Sequence, residues 1–163
     1  MSEQAGISIR FAEAEDVSAM VDLSEQQRRI DEERYHLRFY RKAADSREKQ
    51  LPYFESLLAR ERVIALVSEH NGGIDGFVIG MLIDAPPVYD PGGFTCLVDD
   101  FVVQRPEDWP TIGASLLHKV NQHAKDQEAV QTVVVCRRLD EAKRAALASL
   151  GLIVVSERSV AEL

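Results

Sequence analysis

Ile7, Ile9 and Phe11 alternate with Ser8 and Arg10, the two-residue period of a half-buried strand near the start of the chain. The period then changes. From Glu15 to about Ile30 the residues Val17, Met20, Val21 and Ile30 recur at helical spacing, with Glu15 and Asp16 in the first turn, where the helix dipole favours acids. Residues 31–45 (DEERYHLRFYRKAAD) are densely charged around Tyr35, Leu37, Phe39 and Tyr40, a pattern that fits a helix extension or a solvated loop equally well. Ser46 to about Arg60 reads as a second helix, with Leu51, Phe54, Leu57 and Leu58 on one stripe. Two apolar runs, 63–69 and 74–84, flank the turn signal HNGG and form an antiparallel hairpin. The proline- and glycine-rich loop 85–93 (APPVYDPGG) leads into a strand over 94–103, and the polar stretch 104–110 into a helix carrying Ile112, Leu116, Leu117 and Val120. Thr132–Cys136 is nearly all β-branched and is expected to be a strand buried on both faces. An alanine-rich helix over about 140–149 ends at Gly151, and 152–156 is expected to form a closing strand.

The order is strand, two helices, three strands, then helix, strand, helix, strand. The unit from Phe94 to Cys136 needs a right-handed crossover and so a parallel pair, whereas the short links before it demand antiparallel pairing. The expected fold class is α/β (α+β) with a mixed, mostly antiparallel sheet, one parallel strand–helix–strand unit and about four flanking helices. A chain of 163 residues suits one domain over 1–163 with one core. No apolar run is long enough to span a membrane, and MSEQAGIS lacks the basic and apolar blocks of a secretory signal, so a cytoplasmic, membrane-free protein is expected. Its net charge of −8 disfavours nucleic acid and anionic lipid and suits a cationic or amine-bearing partner. Cys96 and Cys136 sit in apolar runs, where cysteine behaves as a small hydrophobe.

Residues 94–117, FTCLVDDFVVQRPEDWPTIGASLL, carry the most telling pattern. They resemble the central motif of the GNAT acyltransferases, in which a strand of the type E-D-apolar-apolar-V leads through a short loop to Q/R-x-x-G-x-G/A and a helix. The ending Ser149-Leu150-Gly151-Leu152 is similar to that family's closing helix. The resemblance implies acetyl-CoA as acyl donor, without a metal, and transfer to a primary amine of a small molecule or peptide by direct attack. It assigns the donor to the backbone of Phe101, Val102 and Val103 and to Trp109, Thr111, Ile112, Gly113 and Ala114. The physical basis is anion binding: the first N–H groups of a helix lack internal partners, and the dipole adds positive charge. Some landmarks differ. Asp108 stands at the Gln/Arg position, Thr111 replaces the first glycine, Pro110 removes a donor, Leu147 occupies the place of a tyrosine acid, and Asp140 that of an asparagine. Asp108 fits either a helix cap or a place in a working phosphate loop.

Asp99 and Asp100 are poorly suited to a strand interior and ask for a reason. Strict alternation puts them on opposite faces. An attacking amine must be neutral, and a carboxylate in the cleft can take its proton. Asp99 is therefore the candidate base, and Asp100, matching a neighbour that contacts cationic substrates, a candidate acceptor contact with Tyr35 and Tyr89. His36, His70, His118 and His123 share no metal-ligand spacing. The sequence leaves room for a homodimer.

Overall fold

The computed structural model describes residues 6–163, so the N-terminal stretch read above for targeting signals lies largely outside them. Its sheet comprises β1 (Ser8–Phe11), β2 (Val63–His70), β3 (Gly73–Ile83), β4 (Phe94–Val103) and β5 (Ala129–Val134), in that spatial order. The first three pairings are antiparallel and β4–β5 is parallel, as the short links and the one crossover require. Helices α1 (Val17–Tyr35) and α2 (Ser46–Leu58) cover one face, where Met20, Val21, Phe54 and Leu57 bury against Val67, Phe77 and Ile79. Helices α3 (Ala114–Asp126) and α4 (Glu141–Ser149) cover the other, where Leu116, Val120 and Leu147 meet Leu66, Val78 and Val98. Among the described residues no helix is long and apolar enough to cross a membrane.

The charged stretch 31–45 divides. Helix α1 runs on to Tyr35, His36 ends it with φ +53°, and a short 3-10 turn, Arg38–Tyr40, follows. Two expectations are corrected. The last strand starts at Ala129, three residues earlier than the β-branched run suggested, and it is not buried on both faces, because β5 is the outermost strand of the sheet and Val130 is exposed. Residues 152–156 form no strand. The Leu152 N–H closes the end of α4 on the Leu147 carbonyl, Gly151 turns the chain with φ +87°, and Ile153, Val154 and Val155 emerge 82%, 74% and 75% exposed.

Candidate active site

β4 is irregular where the two aspartates stand. Its register pairs Val98 with Gly80 and Phe101 with Val78, leaving both Asp99 and Asp100 opposite the single residue Ile79. This is a β-bulge, which inserts one extra residue and resets the alternation. Val98 and Phe101 therefore both join the core beneath α3 and α4, with the two acids between them, and Asp100 feels the charges of Arg28 on α1, Arg137 and Lys143. The strict alternation on which the expectation of opposite faces rested thus fails here. Asp99 is exposed and Asp100 is half-buried. Burial, and then the charge of Asp99, push the Asp100 carboxyl up to about 6, against the pull of Arg137, Arg28 and Lys143.

The bulge coincides with the end of the β4–β5 ladder. The last bond runs from the Val135 N–H to the Val98 carbonyl at 2.9 Å. Beyond it, Gln104 N–H donates to Asp75 on the β3 side. By the alternation of backbone polar groups along a strand, the N–H and C=O of Phe101 and Val103 then face away from β3, into the gap that β5 has left. Lys143 fills part of that gap. Its side chain is 3% exposed, and its Nζ donates to the Phe101 carbonyl at 3.0 Å. The ammonium also lies 5.2 Å from the Phe101 ring centroid and 5.1 Å from that of Trp109, two aromatic faces that favour a cation. Burial pulls it down to about 8, opposed by smaller contributions from Cys136, Asp140 and Asp99. By sequence Lys143 is one of several basic residues, with Arg105, Arg137 and Arg138, near enough to meet a CoA phosphate, and nothing in its charge marks it for a buried role. The signal was its place on the apolar stripe Ala142, Ala146, Leu147, one turn before Leu147.

The segment expected to hold pyrophosphate is helical throughout. A 3-10 turn, Pro106–Asp108, and a five-residue π turn, Trp109–Gly113, lead directly into α3. Asp108 makes no helix cap; it is buried, and its carboxylate takes both 3.0 Å bonds of an Arg105 fork. Trp109, 5% exposed, packs edge-on against Phe101 at 4.8 Å. A Cβ on Gly113 would stand 2.5 Å from Trp109 Cε3, so packing alone demands a glycine there. Ile112 and Gly113 are buried, Ala114 is half-buried and Thr111 exposed, its hydroxyl donating to the Asp108 carbonyl at 3.3 Å. Pro106, Glu107 and Asp108 thus begin the helical run with two carboxylates and one missing N–H.

On the α1 side, Arg137 Nε lies 2.7 Å from the buried Asp31 carboxylate, in a pair too bent for a hydrogen bond. Burial pushes the Glu25 carboxyl up, but bonds from Lys42, Ser46 and Arg28 outweigh it and hold the group at about 2. Tyr35 stacks on Tyr40, and its hydroxyl accepts from the Leu139 N–H at 2.8 Å. Tyr89, 72% exposed, lies elsewhere: with Asp84, Asp90, Leu97, Gln131 and Val133 it lines a cavity of about 510 Å³ at the opening end of β4. The structure therefore gathers Asp99, Asp100, Phe101 and Trp109 around the gap and leaves Tyr35 and Tyr89 in separate surroundings.

No family model and no curated relative matches the chain. Solved structures do match. A predicted acetyltransferase with acetyl-CoA from Clostridium acetobutylicum has 20% identity and a TM-score of 0.74, over 96% of each chain. Glucosamine-6-phosphate N-acetyltransferase from Arabidopsis thaliana has 15% identity and a TM-score of 0.68, over 96% of this chain and 98% of that one. An aminoglycoside N-acetyltransferase in complex with CoA has 11% identity and a TM-score of 0.74, over 100% of this chain and 98% of that one. At such identities the shared property is the fold, and this chain has the GNAT acetyltransferase fold.

Proposed function

We propose that the protein is an acyl-CoA-dependent N-acyltransferase of one domain, moving an acetyl group to a primary amine on a small molecule or peptide. The observation that carries this reading is the coincidence of the β4 bulge with the parting of β4 from β5. It sets strand-like polar groups of Phe101 and Val103 toward a gap beside two acids. An extended amide chain such as pantetheine can pair with those groups as an added strand would, and an N–H there polarises a thioester carbonyl. The Asp99–Asp100 pair receives the amine's proton. Asp100, with its proton affinity raised toward neutrality, is the stronger acceptor, and exposed Asp99 meets the incoming cation. The amine attacks the thioester carbon, the C–N bond forms, the C–S bond breaks, and CoA leaves.

A second reading has its own support. The acidic start of the helical run and the engagement of Arg105 by Asp108 suit a GNAT-fold module that holds acyl-CoA loosely, or binds a partner, without transfer. Thiol release from acetyl-CoA with a panel of primary amines separates the two. Turnover that falls about 100-fold or more in Asp100→Asn supports transfer; acetyl-CoA binding with no thiol released by any amine supports the module.

Two finer assignments belong to the proposal. The cytoplasm suits an acyl-CoA enzyme with two free cysteines. A homodimer is favoured by the exposed apolar run 153–155, which has no backbone partner among the described residues, together with the outer edge of β5, unpaired among the same residues. Light scattering on the 18.3 kDa chain distinguishes one copy from two.

A further inference from the structure

We propose that Lys143 is the proton donor to the departing thiolate, a catalytic residue at the gap between β4 and β5. This rests on the donor-binding reading above and supplies what that reading lacks, because Leu147 cannot donate a proton.

A lone buried ammonium is expensive to desolvate and is seldom kept for packing alone. Lys143 has no carboxylate within ion-pair distance among the described residues; its partners are the Phe101 carbonyl and two aromatic faces. The charged and titratable groups around it are Asp99 and Asp100 on the bulge, Cys136 and Arg137 just after β5, and Asp140 at the head of α4. The helix aims it at this spot. Asp140 caps α4 by accepting the Lys143 N–H at 3.3 Å, and Lys143 and Leu147 share the buried face of α4 one turn apart.

Position decides the role. The N–H and C=O of a strand residue point to the same side, so a thioester whose carbonyl accepts from the Phe101 N–H lies alongside the Phe101 carbonyl, where Nζ already sits. When the C–S bond breaks, sulfur takes a proton from Nζ. The carboxylate pair holds the proton lost by the amine and returns it through solvent to Lys143. The sum is amine plus thioester giving amide plus thiol, with no net proton change. An ammonium brought down toward the proton affinity of a free thiol gives up its proton readily at neutral pH.

The test uses bound product and needs no acceptor. The CoA complex of the full chain is titrated with pH, and thiolate absorbance in the ultraviolet is read against the desulfo-CoA complex. In the wild type the bound thiol is expected to ionise at least about one unit below the ordinary ~8.5, as thiols beside a lysine do. The shift is expected to vanish in Lys143→Met and to persist in part in Lys143→Arg, which keeps the charge. CoA that binds with an unshifted thiol in the wild type overturns the inference and leaves the donor-binding reading standing, whether or not any variant folds. A thiol shift that survives in Lys143→Met also overturns it. CoA that does not bind at all overturns the donor-binding reading and this inference with it.

Discussion

Replacing Lys143 by methionine is expected to stabilise the protein at neutral pH. Methionine follows the same unbranched path through the gap without the ammonium. Burial lowers the Lys143 value from the ordinary 10.5 to about 8, and a gap of that size corresponds to about 3 kcal/mol against the charged form in the folded state. Removing the charge also leaves the Phe101 carbonyl without its 3.0 Å donor, which costs about 1 kcal/mol. The net expectation is about 2 kcal/mol of added stability, or roughly 4–8 °C in melting temperature for a domain of this size. The pH dependence has a definite sign. Below about pH 8 the lysine carries its proton both folded and unfolded, and the wild type bears the full penalty. Between about 8 and 10.5 the folded protein releases the proton first, so the wild type gains stability as pH rises and the variant's advantage shrinks. Urea unfolding of both proteins at about pH 7 and about pH 10 measures this. A variant less stable than the wild type at neutral pH, or an advantage unchanged between the two conditions, refutes the reasoning.

Asp100→Asn is likewise expected to be more stable at neutral pH, by up to about 3 kcal/mol. The folded value of Asp100 is raised to about 6, so the penalty of its charged form is present above that pH and fades as pH falls toward 3.8, where the two proteins should converge in melting temperature. Gly113→Ala is expected to lose about 1–3 kcal/mol in urea unfolding, because its methyl meets the buried Trp109 ring at 2.5 Å. Truncation after Leu152 removes the exposed apolar run and is expected to leave a folded monomer by light scattering, whereas the full chain is expected to be a dimer.

The element order and most boundaries were legible because periodicity and turn residues report local physics. The hairpin 63–84, strand 94–103 and the alanine-rich helix ending at Gly151 all appear where the pattern put them. What pattern missed was decided by partners. TVVVC has the composition of a buried strand, but β4 pairs with the residues before and within it, from Ala129 to Val134, and leaves its end beside the gap. The run 152–156 has strand character, but past Leu152, which closes α4, it has no strand to pair with among the described residues. The bulge could not be read from Asp99 and Asp100, since only the registers to Val78 and Gly80 reveal that they oppose one residue. At Gly113 the bulk of Trp109 by itself demands a glycine, a packing constraint that the motif did not reveal. Asp108 was legible as a residue demanding a partner, but that partner proved to be the Arg105 side chain and not helix amides.

The central claim is that the gap between β4 and β5 receives an acyl-CoA donor on the backbone of Phe101 and Val103. Calorimetric titration with acetyl-CoA, repeated with Val103→Pro to remove the N–H that faces the gap, tests it most directly. The account predicts binding with one site per chain for the wild type and affinity reduced about tenfold in the folded variant, the loss of roughly one hydrogen bond. An absence of binding to the wild type, or equal affinity in the two proteins, would contradict it.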